Sequence, residues 1–177
     1  MTAADVDVDV DAGVERASDV SPGWIVVLNG PPRSGKSSIV DVIQETFDGP
    51  WLNLGVDVVV DVGHHDGYAK QLHVLPDAAR RLSGLPALLV GVRCPLHVIM
   101  QRRNTGQPGR EGRYRTSGPG GEIPEPVRRW QREVHRPGIY DLEIDTSAVT
   151  PAIAGAMIRE RLDGPAPTAL RELAERG

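Results

Sequence analysis

Short apolar runs alternate with stretches of helical period along this chain. Trp24 to Leu28 is apolar, bounded by Pro22-Gly23 and Asn29-Gly30, and predicts a buried strand. The segment from Ser38 to Phe47 places Ile39, Val40, Ile43 and Phe47 on one helical face. Asp48-Gly49-Pro50 then breaks the chain, and Trp51 to Gly63 is an almost continuous β-former. His64-His65-Asp66-Gly67 reads as a turn. A helix is expected from Tyr68 to Ser83 with Leu72, Leu75, Ala79 and Leu82 inward, stopped by Gly84 and Pro86. Ala87 to Val92 is a second buried strand, and Cys94-Pro95 opens a helix carrying Leu96, Ile99 and Met100, with Pro95 at its first position. Pro124 to Arg136 resumes as a helix with Val127, Trp130 and Val134 inward, ended by Pro137-Gly138. Tyr140 to Asp145 alternates as a strand. Thr150-Pro151 caps a last helix through Leu162, with Ile153, Met157, Ile158 and Leu162 toward the core. Strand and helix alternate throughout, so the fold class is α/β with a mainly parallel sheet.

Three stretches stand apart. Residues 1–21 alternate Val and Asp and then turn small and polar; a row of carboxylates repels itself, so a disordered acidic leader is expected over an edge strand. Residues 104–122 hold six glycines and two prolines with Arg110, Arg113 and Arg115 among them, the composition of a mobile, cationic lid. Residues 164–177, rich in Pro and Ala and then charged, read as a frayed or weakly helical tail. One domain is expected over 22–163.

Composition narrows the class. A net charge of −4 over 177 residues argues against a general nucleic-acid or membrane-surface binder. Cys94 is the single cysteine, which excludes an internal disulfide. No apolar run approaches the roughly 20 residues of a membrane span. The N-terminus is acidic where a signal peptide would be basic, so a cytoplasmic protein is expected.

The candidate chemistry centres on Gly30-Pro31-Pro32-Arg33-Ser34-Gly35-Lys36-Ser37, followed by Ser38. Set between a strand and a helix, this G-x-x-x-x-G-K-S is a P-loop (Walker A) pattern. Backbone N–H groups curled at a helix N-terminus receive polyphosphate, and the two glycines allow close approach. Lys36 would reach the β- and γ-phosphates of ATP, and Ser37 would offer its hydroxyl to Mg²⁺. The two prolines remove N–H donors and stiffen the loop. Val58-Val59-Val60-Asp61 has the form of a Walker B strand whose carboxylate holds Mg²⁺ through water, the alternative being an Asp that bonds its own turn. Asp57, at the end of an apolar run, could take the proton of an attacking hydroxyl or simply be solvated. Arg110 and Arg113, with Arg102 and Arg103 at the stem of their loop, could swing over bound nucleotide and neutralise developing charge. His64-His65 diverge on a turn and read as structural or substrate-lining. His135 reads as a helix-end residue interacting with the dipole, and Cys94 as a buried small residue.

These stretches together resemble the chloramphenicol phosphotransferase family of P-loop kinases, which use ATP to phosphorylate an antibiotic hydroxyl. The matching elements are Val27-Leu28-Asn29-Gly30 with Gly35-Lys36-Ser37, and Pro50-Trp51-Leu52 with Gly55-Val56-Asp57. Farther on come Val90-Gly91-Val92-Arg93-Cys94, Arg110-x-x-Arg113, and Val134-His135 leading to Tyr140-Asp141-Leu142-Glu143-Ile144-Asp145-Thr146. The resemblance implies a three-layer P-loop kinase-like fold, with Asp57 as catalytic base, Lys36 and Ser37 as ATP and Mg²⁺ ligands, and Arg110 and Arg113 as lid arginines. One departure is large. In the family a loop and helix separate the Gly-Val-Asp strand from the Walker B strand; here Asp57 and Val58 adjoin. Parallel neighbours cannot be joined without a crossover, so the fold is expected to be reduced by one. On one strand Asp57 and Asp61 would lie about 13 Å apart and could not both hold the family's positions.

The expected function is therefore ATP-dependent transfer of a phosphoryl group to the hydroxyl of an antibiotic-like small molecule. The alternatives are an ATP-binding protein whose transferase activity was lost or altered, and a P-loop kinase for another small metabolite. A neighbouring subunit could supply the wall missing from the shortened middle, making a homodimer functional.

Overall fold

The computed structural model describes residues 23–55, 74–106, 112 and 114–176. The expected strand over 51–63, the turn at His64-His65, the acidic leader, and Asp57, Asp61, Arg110 and Arg113 fall wholly or partly outside these residues. Three parallel strands, β1 (Ile25–Asn29), β2 (Ala87–Arg93) and β3 (Leu142–Asp145), form a sheet in the order β1-β2-β3. Ile25 pairs with Ala87 and Asn29 with Gly91, while Val90 pairs with Leu142 and Arg93 with Asp145.

The described helices are α1 (Lys36–Thr46), α2 (Val74–Leu82), α3 (Leu96–Asn104), α4 (Glu125–Glu133), α5 (Pro151–Leu162) and α6 (Ala169–Arg176). Side chains alternate faces along a strand, and the central β2 is buried on both. Leu88, Val90 and Val92 pack with Ile39 and Ile43 of α1, Ile144, and Ala154 and Ile158 of α5. Ala87 and Leu89 pack on the opposite side with Ala79 of α2 and Ala169, Leu170 and Leu173 of α6. This is a three-layer α/β fold with helices on both faces of a parallel sheet, the class expected from the alternation of elements. A smaller cluster joins Cys94, Ile99, Met100 and Val127, seating α4 on α3. Among the described residues, no helix is long and apolar enough to cross a membrane.

Several local expectations are corrected. Pro95 is the residue before α3 rather than its first position, with ψ 144°. Tyr140 and Asp141 precede β3 instead of belonging to it. Ile153 is half exposed, because α5 turns Ala154 and Ile158 toward α1 and the sheet; its Thr150 cap is present, the hydroxyl accepting from the Ile153 amide at 3.3 Å. Trp51 to Gly55, expected to be strand, carries no regular structure, and Leu52 and Leu54 are exposed. The tail holds α6, whose Ala169, Leu170 and Leu173 are buried. Asp141 accounts for that docking: its Oδ1 accepts from the amides of Thr168 at 2.7 Å and Ala169 at 3.0 Å, and its Oδ2 from Leu89 at 2.9 Å. One carboxylate thus caps the start of α6 and fastens it to β2.

Candidate functional site

The glycine-rich loop runs from the end of β1 into α1, so the strand aims it and the helix N-terminus completes it. The backbone enforces the two glycines. A Cβ on Gly30 would lie 2.4 Å from the Val92 carbonyl oxygen, and Gly35 sits at φ 97° as the N-cap of α1. A side chain at either position would push the loop off β2 or strain its turn. Ser34 N donates to Pro31 O at 3.1 Å, closing the bend. Lys36 folds its ammonium back to the carbonyl oxygens of Gly30 at 2.8 Å and Pro31 at 3.1 Å. Ser37 and Ser38 are exposed in the first turn of α1, where helical amides have no intrahelical acceptor. The Ser34 hydroxyl is fully buried and has no hydrogen-bond partner. Backbone donors at a positive helix end, a lysine on the rim and an unpaired buried hydroxyl suit an anion with several oxygens.

The loop is braced from below by residues that the sequence reading did not place there. Thr146, just past β3, donates from Oγ1 to the Ser34 carbonyl at 2.6 Å. The Arg102 guanidinium donates to Arg33 O at 3.3 Å, Thr146 Oγ1 at 3.2 Å and Thr146 O at 2.8 Å, and touches the Cys94 sulfur at 3.4 Å. Holding these loop carbonyls downward leaves the neighbouring amides to face the other way. Arg102, placed by the sequence at the stem of the lid, is turned under the loop. Arg103 is buried, donates to Arg115 O at 3.3 Å, and stacks its guanidinium on Tyr114. Cys94 is buried, as expected.

Arg33 keeps its backbone in the loop but sends its side chain outward, donating to the carbonyls of Arg102 and, at 3.1 Å, Gly106. Pro31 is buried, while Pro32 is half-buried on the loop. Of the remaining sequence-derived candidates, Asp57, Asp61, Arg110 and Arg113 lie outside the described residues. Ser37 is therefore the described candidate for holding magnesium, and its exposed hydroxyl suits a hard cation.

Beside the loop lies a network anchored on Asn29, the last residue of β1. Asn29 Nδ2 donates to Val134 O at 2.8 Å and to the Tyr140 hydroxyl at 2.7 Å, and that hydroxyl meets His135 Nδ1 at 2.8 Å. His135 is 8% exposed, and its Nε2 is buried without a partner. Burial, helped by the Arg93 and Lys36 charges and opposed by Glu143, lowers its pKa from 6.5 to about 4. His135 is thus a neutral, buried network member rather than a charged residue answering a helix dipole, which corrects the expectation. Between pH 6.5 and about 4 the unfolded chain binds a proton that the folded ring refuses. Stability is therefore full above that window and is lost as pH falls through it. His135→Gln should show a flatter decline of melting temperature across the window by scanning calorimetry; a slope equal to the parent's would assign the acid sensitivity to other groups.

The signals that could have found this brace and network are faint. Asn29, His135, Tyr140 and Thr146 all lie inside the stretches that carry the resemblance, but nothing in their spacing says that they converge.

A family model described as chloramphenicol phosphotransferase-like protein covers residues 23–66 and 58–163. The two matched stretches share residues 58–66, beside the point where the sequence joins Asp57 to Val58. No curated protein matches the chain significantly.

Proposed function

Because the chain belongs to the chloramphenicol phosphotransferase-like family, a family of kinase-like phosphotransferases, we propose that it moves the γ-phosphate of ATP to a hydroxyl of a small, antibiotic-like molecule. The observation that carries this reading is the loop itself, with Lys36 on its rim and its carbonyls turned down onto Thr146 and Arg102. Within Gly30 to Ser38, the amides from Gly35 onward at the start of α1 hold the polyphosphate, with Lys36 neutralising the β- and γ-oxygens. Magnesium would supply charge neutralisation across the phosphates when bound, with Ser37 to hold it and Asp61 as the alternative to Asp57 for the carboxylate that faces the phosphates. The acceptor oxygen forms its bond to the γ-phosphorus as the bond to the β-bridging oxygen breaks, leaving ADP. Asp57 takes the acceptor proton, and Arg110 and Arg113 neutralise the migrating group.

A match broken into two overlapping stretches supports a shortened middle, which bears on the acceptor pocket rather than on the loop. A homodimer whose neighbouring subunit completes that pocket, working in the cytoplasm, belongs to the same proposal. The test is incubation with Mg-ATP and a panel of hydroxylated antibiotics, scored for phosphorylated product. Asp57→Asn should cut turnover about 10²–10⁴-fold, the usual loss of a general base. Nucleotide uptake without transfer to any acceptor would favour the alternative, an ATP-binding protein that has lost its transferase activity.

A further inference from the structure

We propose that Arg33 is a positioning residue: it clasps the glycine-rich loop to the connection between α3 and α4, the segment whose sequence carries Arg110 and Arg113. The proposal rests on the reading of the loop as a phosphate site. Arg33 occupies a variable position of the loop pattern and, among the described residues, is the only non-glycine with positive φ, at 74°. That left-handed backbone is costly for a side chain bearing a Cβ, and here it directs the guanidinium out of the loop. The side chain lands on the last carbonyls of α3 and the turn beyond, Arg102 O and Gly106 O. A cation there satisfies acceptors that a helix leaves unpaired and faces the negative end of its dipole. The contact is reciprocal, since Arg102 Nη1 donates back to Arg33 O at 3.3 Å.

The second half of the clasp is Tyr114. Its ring centroid lies 5.4 Å from the Arg33 guanidinium carbon and 5.5 Å from that of Arg103, within the range of cation–π attraction. Asn104 and Ser117 then exchange two bonds of 3.0 Å, closing the connection back on α3. Arg33 therefore touches both the start of the connection, at Gly106, and its return, at Tyr114. Whatever shifts the loop, phosphate binding included, shifts the anchor of the segment between them. Arg33 is not itself a phosphate ligand in this arrangement; it ties the loop to Gly106 and Tyr114, on either side of the connection's middle.

Trypsin provides the test, because Arg110, Arg113 and Arg115 place its sites within the connection. In the ligand-free protein at equal folded fraction, Arg33→Ala should be cut there about tenfold faster than the parent, since cleavage follows the open population. Its affinity for Mg-ADP should fall less by calorimetry than that of Lys36→Ala, because Lys36 remains. Protection of the connection by Mg-ADP should be seen in the parent and lost in the variant. Arg33→Lys should not restore it, for an ammonium cannot bridge two carbonyls and also lie flat on a ring. Tyr114→Leu, which leaves the loop intact, should reproduce the faster cleavage if Arg33→Ala folds poorly. Cleavage at the parent rate in both variants would overturn the clasp. Loss of Mg-ADP affinity as large as that in Lys36→Ala would instead make Arg33 a phosphate ligand. If the parent itself takes up no Mg-ADP, the phosphate reading fails while the ligand-free comparison still decides the clasp.

Discussion

Lys36→Ala should lower phosphoryl transfer by about 10²–10³-fold, the scale set by removing one preorganised charge or donor from a developing anion. The ammonium is held by the Gly30 and Pro31 carbonyls at 2.8 and 3.1 Å, so it stands at the rim before any ligand arrives. Alanine removes the only side-chain cation of the loop that points back over it, since Arg33 is turned outward to Arg102 O and Gly106 O. Calorimetry with Mg-ATP and turnover should fall together. Melting temperature should fall less, because the two hydrogen bonds to Gly30 O and Pro31 O are worth about 1 kcal/mol each. Uptake of Mg-ATP equal to the parent's would remove the basis of the proposed function.

Asp141→Ala should cost about 3–5 kcal/mol of stability, the usual result of removing one partner from a buried charged arrangement. The carboxylate is 1% exposed and accepts three backbone N–H bonds, with the Arg161 guanidinium 3.8 Å away. Alanine leaves the amides of Leu89, Thr168 and Ala169 without that acceptor and Arg161 without its counter-charge. At roughly 2–4 °C per kcal/mol for a chain of this size, the melting temperature should drop by about 10 °C. Amide exchange in α6 should quicken before that in β3. Asp141→Asn, which retains one acceptor oxygen, should lose less. A drop of only a degree or two with α6 still protected would show that α6 is held by its apolar face alone.

How much of this was legible depends on whether the signal is contiguous. The strands around Val27 and Leu89 and the helices around Ile43 and Ile158 announce themselves by period and by flanking Gly and Pro, and they form where expected. The loop is legible because eight adjacent residues fix its geometry. The brace beneath it is not: Thr146 reaches Ser34, and Arg102 reaches Arg33, only after the sheet has brought three separate segments together. Arg102 also resembles its solvated neighbours in composition, so nothing local distinguishes a guanidinium under the loop from one in water. His135 escapes the sequence for a related reason: its partner is the Tyr140 hydroxyl, which Asn29 of β1 also holds, and not the dipole of the helix before it. In α6 the signal was present but outvoted. Leu170, Leu173 and Ala174 share a face, yet the preceding Pro and Ala and the flanking charges suggested fraying, and the decisive cap, Asp141, lies far back in the chain.

The fastening of α6 to the central strand also orders events during biosynthesis. Ala87 and Leu89 leave the ribosome long before Ala169, Leu170 and Leu173, the residues of α6 that cover them. At about 5–20 residues per second, that side of the nascent sheet has only α2 to cover it for several seconds, ready to stick to another chain or to a chaperone. Slowing translation between β3 and α6 should therefore lower the soluble yield more than an equal pause placed before β2.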